Sequence, residues 1–229
     1  MTVPFYVAPE QVMKDRADYA RKGIARGRSL VAAIAADGIV LCAENPSNTL
    51  HKVSEIYDRI AFAGVGRFNE FDQLRIAGIR HADLKGYSFS REDVDARSLA
   101  NAYAQILGNI FTHEIKPMEV EILVAELAAQ RVDDRLYHIL YDGTVADETR
   151  LLALGGDAET VADRLAQAFG DDDSPTFAAA LSASASALAG PDRTLGAEAL
   201  EVAVLDRTIE RRAFRRFSDD EVAQVLAPA

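Results

Sequence analysis

A lysine at position 52, a lone cysteine at 42, four histidines and a short glycine pair are the features of this sequence that invite a chemical reading. Most of them fail the test of spacing. Sequences for a Ser nucleophile elbow, a Walker A loop or an H-E-x-x-H metal helix are absent. Gly64-Val65-Gly66 starts a G-x-G but has no third glycine to complete a phosphate cradle. His51, His81, His113 and His138 share no ligand spacing, so no metal site is expected. His138, between Leu136 and Leu140 on one strand face, reads as a packed or hydrogen-bonded structural residue. His113-Glu114 lacks a second histidine at i+4. Cys42 sits between Leu41 and Ala43 with no basic neighbour to lower its pKa, and reads as a small core hydrophobe. No catalytic residue and no cofactor emerges from these motifs.

The elements that must carry these residues follow from periodicity. Pro9 suits a first helical turn, and Met13, Ala17, Ala20 and Ile24 recur at helical spacing until Gly23 and Gly27 end the helix. Residues 29–36 and 39–43 read as strands joined by an Asp37-Gly38 turn. A polar loop over 44–50 leads to strands at 53–57 and 60–63. Helices follow over 67–84 and around 99–110, where Leu99, Ala102, Tyr103, Ile106, Leu107 and Ile110 form a broad apolar stripe. Strands are expected at 118–124, 135–141 and 151–154, with Glu119 and Glu121 beginning the second face of the first of these. Then come helices at 158–169 and 175–188, strands at 198–205 and 213–217, and a last helix opened by the Ser218/Glu221 capping box.

Strands in antiparallel groups alternating with helix pairs are not the rhythm of a doubly wound sheet. They predict one α+β domain, a four-layer α-β-β-α sandwich of two antiparallel sheets flanked by helix pairs. The 229 residues suffice for one such core. One cysteine excludes a disulfide framework. A net charge of −11 argues against nucleic-acid and anionic-membrane partners. No apolar run reaches the ~20 residues of a bilayer span. The opening MTVPFYVAPEQ lacks a basic leader, so a cytoplasmic location is expected.

Sandwiches of this kind can host N-terminal-nucleophile hydrolases, in which a terminal Thr, Ser or Cys begins a strand and its free amine serves as base. Thr2 is followed by Val3-Pro4 and a helix instead. The first strand is preceded by Arg26-Gly27-Arg28, and Arg28 has no nucleophilic group. The machinery is missing where the fold would place it. An active threonine hydrolase remains the alternative reading, and an enzyme using Cys42 a third.

Residues 21–47 (RKGIARGRSLVAAIAADGIVLCAENPS) and 50–75 (LHKVSEIYDRIAFAGVGRFNEFDQLR) resemble α-type subunits of the proteasome core particle in its actinobacterial form. Further matches are GYSFSREDVDARSLANAYAQILGNIF, KPMEVEILVAEL, LYHILYDGTV and LEVAVLD. The resemblance covers nearly the whole chain. It implies the N-terminal-nucleophile hydrolase fold without peptide-bond cleavage, which is left to β subunits.

The resemblance also implies partners and sites. The chain would form a heptameric ring with copies of itself, capping β rings in an α7β7β7α7 barrel. Protein substrates would pass its pore. A hexameric ATPase activator would insert C-terminal tails into pockets between α subunits. Arg28 falls where a β subunit has its threonine, Glu44 near the β acidic residue, and Lys52 at the β catalytic lysine. In α subunits that lysine instead meets the incoming terminal carboxylate, so Lys52, Gly66 and Arg67 are the expected docking pocket, an ammonium beside helix-start N–H groups. The gate is expected in residues 1–8, carried by Thr2, Val3, Pro4, Phe5, Tyr6, Val7 and Ala8, ahead of an opening helix at 9–24 in a single domain over 9–229. The tyrosine-aspartate-arginine gate motif of eukaryotic and archaeal relatives is lacking, and regulation through the longer acidic or serine-rich C-terminal tail of some bacterial ones is not expected. Against an acidic background, Lys52, Arg67 and the arginines of 211–216 are the cations through which partners would be met.

Overall fold

The computed structural model describes residues 8–227. Of the expected gate, residues 1–7 lie outside the described residues. Ala8 lies inside them as the N-cap of the first helix, its carbonyl accepting from the Gln11 and Val12 N–H groups.

In chain order the elements are α1 (Pro9–Ile24), β1 (Leu30–Ala35), β2 (Gly38–Glu44), β3 (Val53–Tyr57), β4 (Ile60–Gly66), α2 (Phe68–Ser88), α3 (Ala96–His113), β5 (Val120–Glu126), β6 (Arg135–Ile139), β7 (Val145–Glu148), β8 (Leu151–Leu154), α4 (Ala158–Phe169), α5 (Phe177–Ala189), β9 (Leu200–Asp206), β10 (Phe214–Arg216) and α6 (Asp219–Leu226). Two five-stranded antiparallel sheets result, in the orders β10-β9-β2-β1-β8 and β3-β4-β5-β6-β7.

Strand alternation builds the layers. In β1, Leu30, Ala32 and Ile34 join a core between the sheets with Leu41, Ala63, Leu123 and Leu205. Val31, Ala33 and Ala35 point the other way, against Leu165 of α4 and Leu181 of α5. The second sheet turns Phe62, Ile122 and Val124 toward Leu74 of α2 and Leu99, Tyr103 and Leu107 of α3. Helices pack on the outer face of each sheet, and β1 and β2, inside the first, are buried throughout. Each buried Leu, Ile or Phe contributes about 1.5–3 kcal/mol by leaving water. This is the four-layer α-β-β-α sandwich. No helix of the described residues is long and apolar enough to cross a membrane.

Helix ends follow local chemistry. Asp95 accepts from Ser98 N at 2.7 Å to open α3, and Ser218 and Glu221 form a reciprocal capping box on α6. α1 lies across one end of the sandwich, where Ala20 and Ile24 meet Tyr141.

Four sequence expectations need correction. β7 falls between the strands expected at 135–141 and 151–154; all four of its residues are exposed, so it has no buried face to create a pattern. Residues 140 and 141 leave β6 for the following turn. Gly23 does not end α1 but lies inside it; a Cβ there would come within 2.1 Å of Glu119 Oε2, so the glycine admits the helix to close packing. The turn between β1 and β2 is Ala36-Asp37, because Gly38 already pairs with Ala35.

Candidate functional site

Lys52 stands at the end of the loop from β2 to β3. That loop is fixed by its own polar residues. The Asn45 side chain donates to Leu50 O at 2.8 Å and accepts from Ser47 N at 3.1 Å, while Ser47 Oγ accepts from Leu50 N at 3.1 Å. Antiparallel pairing of β3 with β4 then starts at Val53 opposite Ala63, and Gly64 N donates to Lys52 O at 3.0 Å.

The Lys52 side chain reaches the start of β1. Its Nζ donates to Arg28 O at 2.7 Å and to Glu44 O at 3.1 Å. Arg28, Glu44 and Lys52, which the sequence resemblance sets against the nucleophile, acid and lysine of a β subunit, therefore lie together. Their chemistry is different. Arg28 places a guanidinium 2.7 Å from Glu44 Oε1, and Arg193 grips the same carboxylate with Nη1 and Nη2, both at 3.1 Å. The Arg28 backbone nitrogen lies within the chain, so it is an amide and not a free amine. The neighbouring hydroxyl, Ser29 Oγ, donates to Gly155 O at 3.3 Å. Beside Arg28 lies a cavity of about 410 Å³ whose lining includes Gly27, Ser29, Glu44, Arg164 and Arg193.

Two titrations are displaced here. Burial lowers the Lys52 ammonium, and Arg28 adds to this; Glu201 and Glu44 oppose them, and the result is a pKa of about 8. Burial by itself would raise Glu44, but the Arg193 and Arg28 contacts outweigh it and hold the carboxyl below its usual value. A carboxyl with a depressed folded pKa stabilises the fold above its unfolded pKa of about 4.3, and this contribution is lost as pH falls through the folded pKa. Glu44→Gln is therefore expected to lower the urea midpoint at neutral pH, with the gap to the parent closing in acid. A gap that is constant with pH would contradict the ion-pair account.

Gly66 and Arg67 form a second cluster. Gly66, with φ of 113°, ends β4 so close to β5 that a Cβ would come within 1.9 Å of Glu119 O. Arg67 is the N-cap of α2, and no side chain caps that terminus. Its Nε lies 3.0 Å from Glu119 Oε1, while Lys116 Nζ bridges Glu70 at 2.6 Å and Glu119 at 3.1 Å. Lys52 lies opposite Gly64, three residues before Arg67 in the chain, and the two cations sit in separate ion networks. Among the cavities of the described residues, those beside these two clusters do not join them.

The other singled-out residues resolve as follows. Cys42 is fully buried in β2; burial pushes its thiol up to about 12, with Glu201 adding to the rise, so it is no thiolate nucleophile. His138 pairs through Nε2 with Glu121 of β5, whose other oxygen accepts from Gly155 N at 3.0 Å. The arginines near the C-terminus are matched by acids: Arg212 with Glu55, Arg215 with Glu221 and Arg216 with Glu201. Among the described residues no group of three or more His, Cys, Asp and Glu could hold a metal ion.

Sequence reading missed Arg193 and Glu70 altogether, and placed Glu119, Glu121 and Glu201 only on strand faces, Glu201 on that of Ala203 and Leu205. The available signal for Glu201 was an acid interrupting the apolar run of 200–205. Arg193 follows α5 in an irregular segment and carries no pattern.

Comparison with known proteins bears on this geometry. The family profile for proteasome subunits matches residues 24–205. A protein of Acidimicrobium ferrooxidans named proteasome subunit alpha is 61% identical over 226 residues, 99% of this chain and 97% of its own length. Proteins of the same name from Sanguibacter keddieii and Arthrobacter sp. are 55% and 54% identical, each over 99% of this chain and over 90% and 99% of their own lengths.

Proposed function

Since the chain belongs to the proteasome subunit family, alongside its α subunits, we propose that it is a non-catalytic α subunit that forms outer heptameric rings, gates substrate entry and docks an activator. The single observation that carries the non-catalytic part is the occupant of the nucleophile position. Arg28 sits there, its amide within the chain and its guanidinium on Glu44, while Lys52 is engaged by carbonyl oxygens. An acyl-transfer site needs a hydroxyl or thiol within hydrogen-bond reach of a base. Proteolysis then belongs to β partners in the barrel.

Docking is assigned to Lys52, with the uncapped first turn of α2 beside Gly66 and Arg67. An ammonium has three donors. Two of them serve Arg28 O and Glu44 O, which leaves one for the carboxylate of an ATPase activator's tail. The α2 terminus, which no side chain caps, adds the positive end of a helix dipole. The tail 1–8 is the proposed gate, 9–229 the single domain, and the cytoplasm the place of work.

Co-expression with the β subunit of the same organism tests this. Native mass measurement is expected to find a particle of many subunits with unprocessed α termini, and no peptide hydrolysis by α alone. Removal of residues 1–7, leaving Ala8 to cap α1, is expected to raise basal peptide hydrolysis by that particle several-fold. A stable monomer indifferent to β would overturn the assembly; flat basal rates would overturn the gate.

A further inference from the structure

We propose that Glu201 is the positioning residue of the docking site, the buried carboxylate that fixes the Lys52 loop and sets the field in which its ammonium sits. The inference deepens the docking reading of Lys52 and takes its functional meaning from it.

The geometry is unusual for a single side chain. Glu201 lies on β9, in the sheet opposite β3, and is only 7% exposed. One oxygen accepts from Lys52 N and from Asn45 Nδ2, both at 2.8 Å. The other accepts from Val53 N at 3.2 Å and from the Arg216 guanidinium, with His51 Nδ1 at 3.3 Å. One carboxylate therefore takes the backbone N–H groups of Lys52 and Val53 at the entry to β3, the side chain that folds the 45–50 turn, and a cation from β10. Arg216 also donates to Val53 O at 2.6 Å, which ties the same corner a second time. A buried carboxylate with this many donors is satisfied as an anion and would leave several orphaned donors if removed.

The charge matters as well as the bonds. The titratable and charged groups around Lys52 are Arg28, Glu44 with its partner Arg193, Glu201, His51 and Arg216. Burial and Arg28 work against the ammonium; Glu201 and Glu44 work for it, Glu201 the more strongly. Glu44 is already shared between two arginines, which places the support for Lys52 chiefly on Glu201.

The test uses the full chain grown with carbon-13 lysine, whose Cε resonances report the titration of each ammonium with all its N–H donors intact. With five lysines in the sequence, the Lys52 resonance is assigned by its loss in Lys52→Arg. The parent midpoint is expected near about 8. Glu201→Gln, which keeps the shape and removes the charge, is expected to lower it by about one pH unit. Glu201→Asp keeps the charge and should hold the midpoint closer to the parent than Gln does. Arg216→Met, which leaves Glu201 unneutralised, should raise it, and carries the test if the Gln variant does not fold. A Gln midpoint that stays put or rises, or Gln and Asp midpoints that move alike, would overturn the proposal, as would an Arg216→Met midpoint equal to the parent's. The docking reading itself stands or falls separately, on activator stimulation of Lys52 variants.

Discussion

Particles built from Lys52→Ala chains are expected to assemble with β subunits and to lose most of their stimulation by an ATPase activator. A charge-assisted hydrogen bond contributes roughly 1.5–3 kcal/mol, which is about a tenfold to 150-fold loss of affinity for each tail. Alanine removes the ammonium and its bonds to Arg28 O and Glu44 O, while the backbone bonds of Lys52 to Glu201 and Gly64 remain. The loop is therefore expected to keep its place, and native mass checks that assembly survives. The pH profile gives an independent reading. A lysine with a pKa of about 8 is mostly cationic at neutral pH and loses its charge as pH rises through that value. Stimulation of the parent should fall over the same interval. Lys52→Arg stays charged and should flatten this fall, although a planar guanidinium will not reproduce the compact ammonium contacts. Stimulation that is unchanged in the alanine particle would remove Lys52 from the docking site.

The legible parts of this molecule are those where one physical cause dominates. β3, β8 and α4 were bounded to the residue by hydrophobic patterning and turn chemistry, and the capping box on α6 was visible in four letters. β7 was illegible because an exposed acidic edge strand is chosen by its neighbour β6 and not by its own residues. Glu201 was illegible for a related reason. Strict alternation places it on a face with Ala203 and Leu205, which line the core between the sheets. Its burial makes sense only once Asn45, Lys52 and Arg216 arrive from other parts of the chain. The convergence of Arg28, Glu44 and Lys52 could be carried over from a related fold. The separation of Lys52 and Arg67 into two ion networks could not, since it depends on Glu119, Glu70 and Lys116, whose side chains meet only across β5 and α2.

The largest expected effect on stability comes from a residue with no side chain. Gly38→Ala is expected to cost about 3 kcal/mol or more, read from urea unfolding of the purified chain. Two independent penalties combine. The backbone at Gly38 has φ of 149°, a conformation that L side chains rarely adopt. A Cβ there would come within 1.9 Å of Leu205 O. That oxygen belongs to the backbone of β9, which pairs with β2 from Gly38 opposite Asp206 to Glu44 opposite Leu200. The Arg207 N–H also donates to Asp37 O at 2.9 Å, so the strand end is held from both sides and cannot yield locally. Relief requires β9 to draw away from β2. That strand carries Glu201, so the displacement should propagate to the Lys52 loop and shift the Lys52 titration along with the stability. Trimming the Leu205 side chain should give no rescue, because the obstacle is a carbonyl. A loss below ~1 kcal/mol, or rescue by Leu205→Ala, would show that β9 can adjust and that the glycine is there for some other reason.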